Sequence, residues 1–161
     1  MFEIKKYNDA DKEAWNAYVE HARNATFLFN RNYMDYHSDR FKDYSLMFYK
    51  NGKLHSLLPA HEREDTFCSH FGLTYGGLIM NKDVTADVVQ LFKELNEYLR
   101  QQGFKKVLYK PVPWVYHQMP SEEDLYAIYW VCKARIVKRD IGSVLFLQEK
   151  PRWRRLRRRS L

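Results

Sequence analysis

The sequence is poor in the residues that most narrowly restrict fold class. Of its 161 residues, two are cysteine, five are proline and six are glycine. Cys68 and Cys132 provide neither a disulfide framework nor a zinc site, so we expect a reducing, cytoplasmic location. No run approaches the ~18 consecutive apolar residues of a membrane-spanning helix, and no signal-peptide hydrophobic segment follows Met1. These absences exclude collagen-like, disulfide-rich and helical membrane proteins.

The sequence is rich in aromatic and other apolar residues. Aromatic residues make up 16% of the chain and hydrophobic residues 45%, against 29% charged residues. This is the composition of a protein with a packed core, and the length is that of one domain, since domains typically have ~100–200 residues. Disorder and coiled coil are therefore excluded as well.

The positive charge is confined to the carboxyl-terminal end. The net charge is +7, and residues 150–161 (KPRWRRLRRRSL) contain one lysine, six arginines and no acidic residue. Residues 1–149 are therefore formally neutral. We divide the chain into a domain of residues 1–149 and a basic tail of residues 150–161. Nucleic-acid binding is expected only through the tail.

Hydrophobic periodicity predicts the elements of the first half. Residues 2–7 alternate weakly, as in an edge strand, and Asp9 or Asp11 can cap the following helix. Asn30 can cap a second helix over residues 31–40. Asn51-Gly52 is typical of a type I′ turn, which predicts antiparallel pairing of residues 43–50 with 53–62. The inward face of the first helix is predicted to contain Trp15, Tyr18, Val19 and Ala22.

The second half predicts an alternation of strands and helices. Strands are expected over 66–80, 105–110 and 135–148, and Gly76-Gly77 indicates a bulge or a close backbone approach. A helix over 85–102, capped by Thr85, should face inward with Val88, Leu91, Phe92, Leu95 and Leu99. A helix beginning near Ser121 should face inward with Leu125, Ile128, Tyr129 and Cys132. The order β-α-α-β-β-β-α-β-α-β predicts an α/β fold, a mixed sheet with helices on both faces.

Polar and aromatic residues concentrate in three segments: 33–40, 69–77 and 109–117. The first should place Tyr33, Tyr36, His37 and Arg40 on one helix face. The third follows a strand, and ligands in α/β sheets usually bind at the carboxyl ends of strands. Each segment also has a structural interpretation, as half-buried packing residues, a core histidine or a structural bulge. The coincidence of all three favours a binding site.

Several common chemistries have no sequence signature. No histidine, cysteine and carboxylate residues have metal-ligand spacing, so no metal is expected. The G-x-S-x-G, P-loop and G-x-G-x-x-G motifs are absent. Cys68 lies in an apolar strand without a second cysteine nearby in sequence, which argues against a reactive thiolate.

Five stretches of sequence together resemble a known superfamily. The chain resembles the amino-terminal half of GNAT-fold proteins of a bacterial branch related to Fem-type peptidoglycan-bridge aminoacyltransferases. The resemblance covers nearly all of residues 20–148. It depends on the strings TFLFNRNYMDYHSDRFKDYSL, LLPAHE, SHFGLTYGGLIM, YKPVPWVYHQMPSEEDLYAIY and RDIGSVL.

The resemblance implies transfer of an activated acyl group to an amine, with acyl-CoA or aminoacyl-tRNA as co-substrate and no tightly bound cofactor. It implies a small-molecule or cell-wall-precursor acceptor, and a second GNAT-like domain after residue 161. The chain departs from the superfamily in the loop that binds the CoA pyrophosphate. Residues 80–86 contain no glycine and include Asp83, which would repel a phosphate. We therefore expect this chain to bind acetyl-CoA weakly. We also expect it to be the acceptor-side half of such an enzyme, and to be inactive by itself if the donor site is elsewhere.

The same resemblance leads to roles for single residues. His70 is the candidate general base that takes a proton from the attacking amine. Charge and hydroxyl groups for substrate binding would come from His37, Arg40, Tyr75, Lys110 and Tyr116. Two alternatives are a non-catalytic GNAT-like binding domain, and binding to an anionic surface or nucleic acid through the arginine-rich tail.

Overall fold

The chain folds into two four-stranded sheets with helices against them. The computed structural model describes residues 1–81, 86–120 and 122–144, with the backbone only at His37. The strands are β1 (Glu3–Lys6), β2 (Lys42–Asp43), β3 (Leu46–Lys50), β4 (Lys53–Leu58), β5 (His61–Arg63), β6 (Thr66–Cys68), β7 (Ile79–Met80) and β8 (Lys106–Leu108). The helices are α1 (Lys12–His21), α2 (Arg31–Met34), α3 (Asp87–Gln101) and α4 (Glu123–Trp130). The predicted α/β fold class is confirmed.

The two sheets differ in strand direction. The first has the order β1-β3-β4-β7 and is antiparallel throughout. The second has the order β2-β5-β6-β8, and β6 pairs with β8 in parallel. A parallel pair needs a long crossover connection, which α3 supplies here. The carboxyl ends of β6 and β8 therefore lie at the same edge of the second sheet.

The hairpin prediction is confirmed in strand direction and in turn type, and the register shifts once, between Phe48 and Tyr49. Leu46 pairs with Leu58 and Lys50 with Lys53 across β3 and β4. Asn51 has φ 51° and Gly52 has φ 72°, the two positive values that a type I′ turn requires. Farther from the turn, Asp43 pairs with His61, which continues the same antiparallel arrangement into the second sheet.

Apolar residues of the central hairpin face both sides, so helices cover both faces of the first sheet. One cluster packs Leu46, Phe48 and Leu58 with the buried side of α3. The other packs Met47, Leu57 and Ile79 with residues of α1 and the segment after it. The inward residues predicted for α3 are all buried: Val88, Leu91, Phe92, Leu95 and Leu99. Thr85, the predicted cap of α3, lies outside the described residues.

The first two helices agree only in part with the prediction. Asp11 occupies the N-cap position of α1, as one of the two predicted caps, but its side chain makes no cap hydrogen bond there. Asn8 instead caps a short 3₁₀ turn before α1, and its side chain accepts a hydrogen bond from the Ala10 N–H at 3.0 Å. Asn30 caps α2 as predicted. However, α2 has only four residues and continues as a 3₁₀ turn over Asp35–His37, so the expected helix 31–40 is wrong in length. Aspartate and serine side chains at 35, 38 and 39 compete for backbone hydrogen bonds, which disfavours a longer helix.

The last helix is rotated relative to the prediction. Asp124 and Ala127 are its buried residues, Leu125, Ile128 and Cys132 are half-buried, and Tyr129 is 71% exposed instead of inward. A hydrogen bond from Tyr109 to the Asp124 carboxylate sets this rotation. Ser121, predicted to open the helix, lies outside the described residues.

The predicted final strand is not formed in the part that the structure describes. Residues 135–144 contain no strand or helix, and 145–148 lie outside the described residues, as does the basic tail. A strand needs a neighbouring strand for its backbone groups, and none pairs with 135–144 in the described ranges. The expected order is therefore wrong at its last strand, and each of the three strands expected between α2 and α3 is divided into two, which gives β2 to β7. No helix among the described residues is long and apolar enough to span a membrane.

Candidate functional site

Segments 69–77 and 109–117 lie side by side after the parallel strands β6 and β8. The Ser69 N–H donates to the Leu108 carbonyl oxygen at 2.9 Å, and the Lys110 N–H donates to Ser69 Oγ at 2.7 Å. The Gly76 N–H then donates to the Lys110 carbonyl oxygen at 3.0 Å. The intervening residues leave the sheet as a loop, and Lys110 Nζ holds that loop by donating to the Leu73 carbonyl oxygen.

Two glycines permit this approach. A Cβ on Gly76 would lie 2.3 Å from the Ser69 carbonyl oxygen, far closer than any real contact. Gly77 has φ +88°, and a Cβ there would lie 3.1 Å from the Cα of Pro111. Glycine is required at Gly76 by space and at Gly77 by the backbone conformation. The close backbone approach expected for this pair is confirmed.

His70 lies in the loop between these contacts. It is 4% exposed and has φ 50°, an uncommon conformation for a residue other than glycine. Its Nδ1 is buried and has no hydrogen-bond partner among the described residues. Burial, with a smaller effect from His61 and against an opposing effect of the Asp43 carboxylate, lowers the pKa of His70 to about 4. The imidazole is therefore neutral at pH 7 and can accept a hydrogen bond.

His70 belongs to a cluster of aromatic rings. The rings of His61 and Phe41 lie 5.4 Å and 5.3 Å from its own, and Phe71 lies 5.3 Å from His61. His61 Nδ1 accepts a hydrogen bond from the Phe71 N–H at 3.3 Å. Burial also lowers the pKa of His61, so both imidazoles favour the neutral form.

Lys110 lies beside the histidine cluster. Its Nζ is 5.9 Å from the Phe71 ring centroid, and its charge contributes to the lowered pKa values of both histidines. Partial burial lowers the pKa of Lys110 itself. The structure thus holds a lysine cation and two neutral imidazoles at the end of the parallel strands.

Tyr75 and Tyr116 form the second part of the site. Their rings stack with centroids 4.9 Å apart and planes 29° apart. The buried Tyr75 hydroxyl donates to Thr26 Oγ1 at 3.0 Å, and burial raises the pKa of that hydroxyl. Tyr116 is 49% exposed. Of the two hydroxyls, that of Tyr116 is therefore the accessible one.

Segment 33–40 contributes less than its sequence suggested. The Arg40 side chain is 71% exposed, and its Nε lies 3.8 Å from the Asp39 carboxylate. Among the described side chains of residues 33–41, the ring contacts with the histidine cluster come from Phe41, the residue next to Arg40. The His37 side chain lies outside the described part of the chain. Four of the six predicted residues, His70, Tyr75, Lys110 and Tyr116, belong to the two adjacent segments.

Sequence reasoning missed His61 and Thr26. His61 lies on β5 and contacts His70 only because β5 pairs with β6. Thr26 precedes a short 3₁₀ turn far from Tyr75 in sequence. No local pattern marks either partner, since His61 lies on a strand whose other two residues are the charged Glu62 and Arg63. In the described residues no three histidine, cysteine or carboxylate groups lie close enough together to hold a metal ion.

The comparisons with known proteins give similarities of fold only. No protein-family model matches the sequence, and no curated protein matches it. Among solved structures, the ribosomal protein S18 alanine N-acetyltransferase of Escherichia coli is similar, with 15% identity, 65% of this chain and 63% of that chain covered, and a TM-score of 0.45. An acetyltransferase of Trypanosoma brucei is also similar, with 15% identity, 90% and 100% covered, and a TM-score of 0.48. This chain thus spans less than two thirds of the Escherichia coli enzyme.

Proposed function

We propose that this chain is an acyltransferase domain, which transfers an acyl group from acyl-CoA or aminoacyl-tRNA to an amine. We further propose that the candidate site described above forms the acceptor side of the active site. The observation that carries the proposal is the position of His70, Lys110 and Tyr116 on two adjacent segments at the ends of parallel strands. Such strand ends are the usual ligand sites of α/β sheets. The sequence resemblance to GNAT-fold proteins supports the same reaction class.

His70 is the proposed proton acceptor. In the reaction the amine nitrogen forms a bond to the acyl carbon, and the bond from that carbon to the donor sulfur or oxygen breaks. The proton that leaves the nitrogen goes to the imidazole, and the leaving thiolate or alkoxide takes up a proton in turn. A neutral His70 with an unpartnered Nδ1 fits the first of these steps.

Lys110 and Tyr116 are the proposed substrate-binding groups. The Lys110 cation can hold a carboxylate or phosphate, and the Tyr116 hydroxyl can donate to an acyl oxygen as charge develops on it. The Arg40 side chain is 71% exposed and would act on charged groups of the substrate that extend into solvent. Tyr75 acts by supporting the Tyr116 ring.

The proposal is tested by measuring transfer with both donor classes. Acetyl-CoA and an aminoacyl-tRNA are each incubated with a panel of primary amines, and the acylated amine is quantified by mass spectrometry. We expect amine-dependent transfer that falls by a factor of about 10² or more in His70→Asn, the usual loss on removing a general base. With acetyl-CoA the rate should rise without saturation to high concentration, because residues 80–86 provide no glycine for a pyrophosphate site.

Tyr129→Ala is the control, since Tyr129 is a 71% exposed aromatic residue of α4 outside segments 69–77 and 109–117. Transfer by this variant should equal that of the unmodified chain. Absence of transfer with both donors would replace the proposal with the alternative of a non-catalytic binding domain. Equal rates in His70→Asn and the unmodified chain would remove His70 from the reaction.

A further inference from the structure

A cleft lies next to the candidate site, between the end of α1 and the segment after β8. Its volume is about 610 Å³, within the usual range of small-molecule sites. Tyr75 connects the two places, because its hydroxyl donates to Thr26 in the cleft lining while its ring stacks on Tyr116. The residues that define the chemistry of the cleft are Glu20, Phe27, Asn30, Asn32, Tyr33 and Gln118.

Two exposed aromatic rings form adjacent walls of this cleft. Phe27 is 70% exposed and Tyr33 is 42% exposed. Their centroids are 5.3 Å apart and their planes are 84° apart, so each ring leaves a face open to a ligand. Aromatic faces carry partial negative charge and attract the weakly positive hydrogens of C–H groups. A ligand with a flat C–H face therefore fits these walls.

Three carboxamide side chains supply the polar groups. Asn30 Oδ1 is occupied, since it accepts the Asn32 N–H at 2.9 Å, so its NH₂ group is left to bind an acceptor. The carboxamides of Asn32 and Gln118 make no hydrogen bond to the described part of the chain. Carboxamides donate and accept hydrogen bonds, and the ligand groups that match both properties are hydroxyls.

The charge of the lining excludes one ligand class and disfavours another. Among the residues that the structure describes, the lining contains the Glu20 carboxylate and no lysine, arginine or histidine. A phosphate or carboxylate ligand would be repelled. An ammonium ligand would pair with Glu20, but it has no acceptor for the NH₂ groups of Asn30, Asn32 and Gln118. A neutral ligand with several hydroxyls can hydrogen-bond to the Glu20 carboxylate and to the carboxamides, because a hydroxyl both donates and accepts.

We propose that this cleft binds a neutral saccharide, with a sugar ring packed against Phe27 or Tyr33 and its hydroxyls hydrogen-bonded to Asn30, Asn32 and Gln118. A pyranose ring has both required features, a C–H face and a rim of hydroxyls. The proposal goes beyond acyl transfer. Saccharide binding is measured in the absence of an acyl donor. A failure to bind sugars can therefore be distinguished from a failure to transfer acyl groups.

The full chain is titrated with cellobiose and with N,N′-diacetylchitobiose, and binding is followed by saturation-transfer NMR and by calorimetry. Inorganic pyrophosphate and Nα-acetyl-lysine methyl ester represent the anionic and ammonium classes. We expect at least one disaccharide to bind with a Kd of about 1 mM or lower, and neither of the charged probes to displace it. Phe27→Ala and Gln118→Ala should each weaken binding by a factor of about five or more.

Tyr126→Ala serves as the control, because Tyr126 is exposed on α4 and is absent from the cleft lining. Binding by this variant should be unchanged. The proposal is overturned if neither disaccharide binds, or if Phe27→Ala and Gln118→Ala bind as tightly as the unmodified chain. It is also overturned if the lysine ester binds in place of the sugars, which would make the cleft an ammonium site.

Discussion

Tyr109 donates a hydrogen bond to the buried carboxylate of Asp124, with 2.5 Å between the hydroxyl oxygen and Oδ2. The same hydroxyl accepts the Leu78 N–H at 2.7 Å. One side chain on the segment after β8 therefore joins α4 to the residues that follow Gly77. Burial raises the pKa of both Tyr109 and Asp124, so the tyrosine keeps its proton for this bond. The hydrogen bond to the Leu78 N–H links segment 109–117 to the end of segment 69–77, and the hydrogen bond to Asp124 holds Tyr109 in place for it.

Tyr109→Phe should destabilise the protein by about 2–4 kcal/mol, because it leaves the Leu78 N–H and Asp124 Oδ2 buried without this partner. The free energy of unfolding is measured by urea denaturation. Tyr126→Phe removes the same hydroxyl from an exposed residue of α4 and should change stability by less than about 0.5 kcal/mol. Similar values for both variants would mean that the Tyr109 hydroxyl is not buried.

Gly76→Ala should cost about 3 kcal/mol or more, because the added Cβ would meet the Ser69 carbonyl oxygen at 2.3 Å and force apart the two ends of segment 69–77, between which Lys110 is hydrogen-bonded. Thermal and urea unfolding measure the effect. Gly142→Ala is the matched control, since a Cβ there has no neighbour within 4 Å. A stable Gly76→Ala variant would contradict the close approach on which the candidate site depends.

Leu95→Ala should cost about 2–5 kcal/mol, because Leu95 is buried against the first sheet and truncation leaves a cavity. Lys93→Ala, two residues earlier on the exposed side of α3, should be close to neutral. Both are measured by urea denaturation at one pH. A loss below about 1 kcal/mol in Leu95→Ala would show that this face of α3 is not packed.

Acidification should destabilise the protein through His70. Its pKa is about 4 in the folded chain against 6.5 for the free side chain, so between these values the unfolded chain binds more protons. Stability is then complete above pH 6.5 and decreases as the pH falls toward about 4. His55 and His61, whose pKa values burial also lowers, act in the same direction.

His70→Asn tests this contribution, since asparagine tolerates the positive φ and does not titrate. The decrease in unfolding free energy between pH 7 and pH 4 should become smaller by roughly 2–3 kcal/mol, the value of a shift of about two units. Urea denaturation across this pH range provides the measurement. An unchanged pH dependence would show that His70 titrates normally in the folded state.

Interactions between residues close in sequence were sufficient to determine several elements. Asn51-Gly52 specified the turn between β3 and β4 because few residue pairs adopt two positive φ values. The apolar spacing of α3 specified its buried face, and the glycine pair after Tyr75 correctly indicated a close approach. Each of these features depends on backbone conformation or side-chain periodicity within about fifteen residues. It can therefore be predicted from the sequence without knowledge of the fold.

Only the tertiary structure decided which segments meet. The Tyr109–Asp124 bond turns α4 so that Tyr129 points to solvent, against its apolar spacing. The pairing of β5 with β6 places His61 beside His70, and the Thr26–Tyr75 bond joins the cleft to the stacked tyrosines. Thr26 and Tyr75 are 49 residues apart, and the other two pairs join separate elements of secondary structure. The energy of all three contacts depends on burial and on partners that no local pattern specifies.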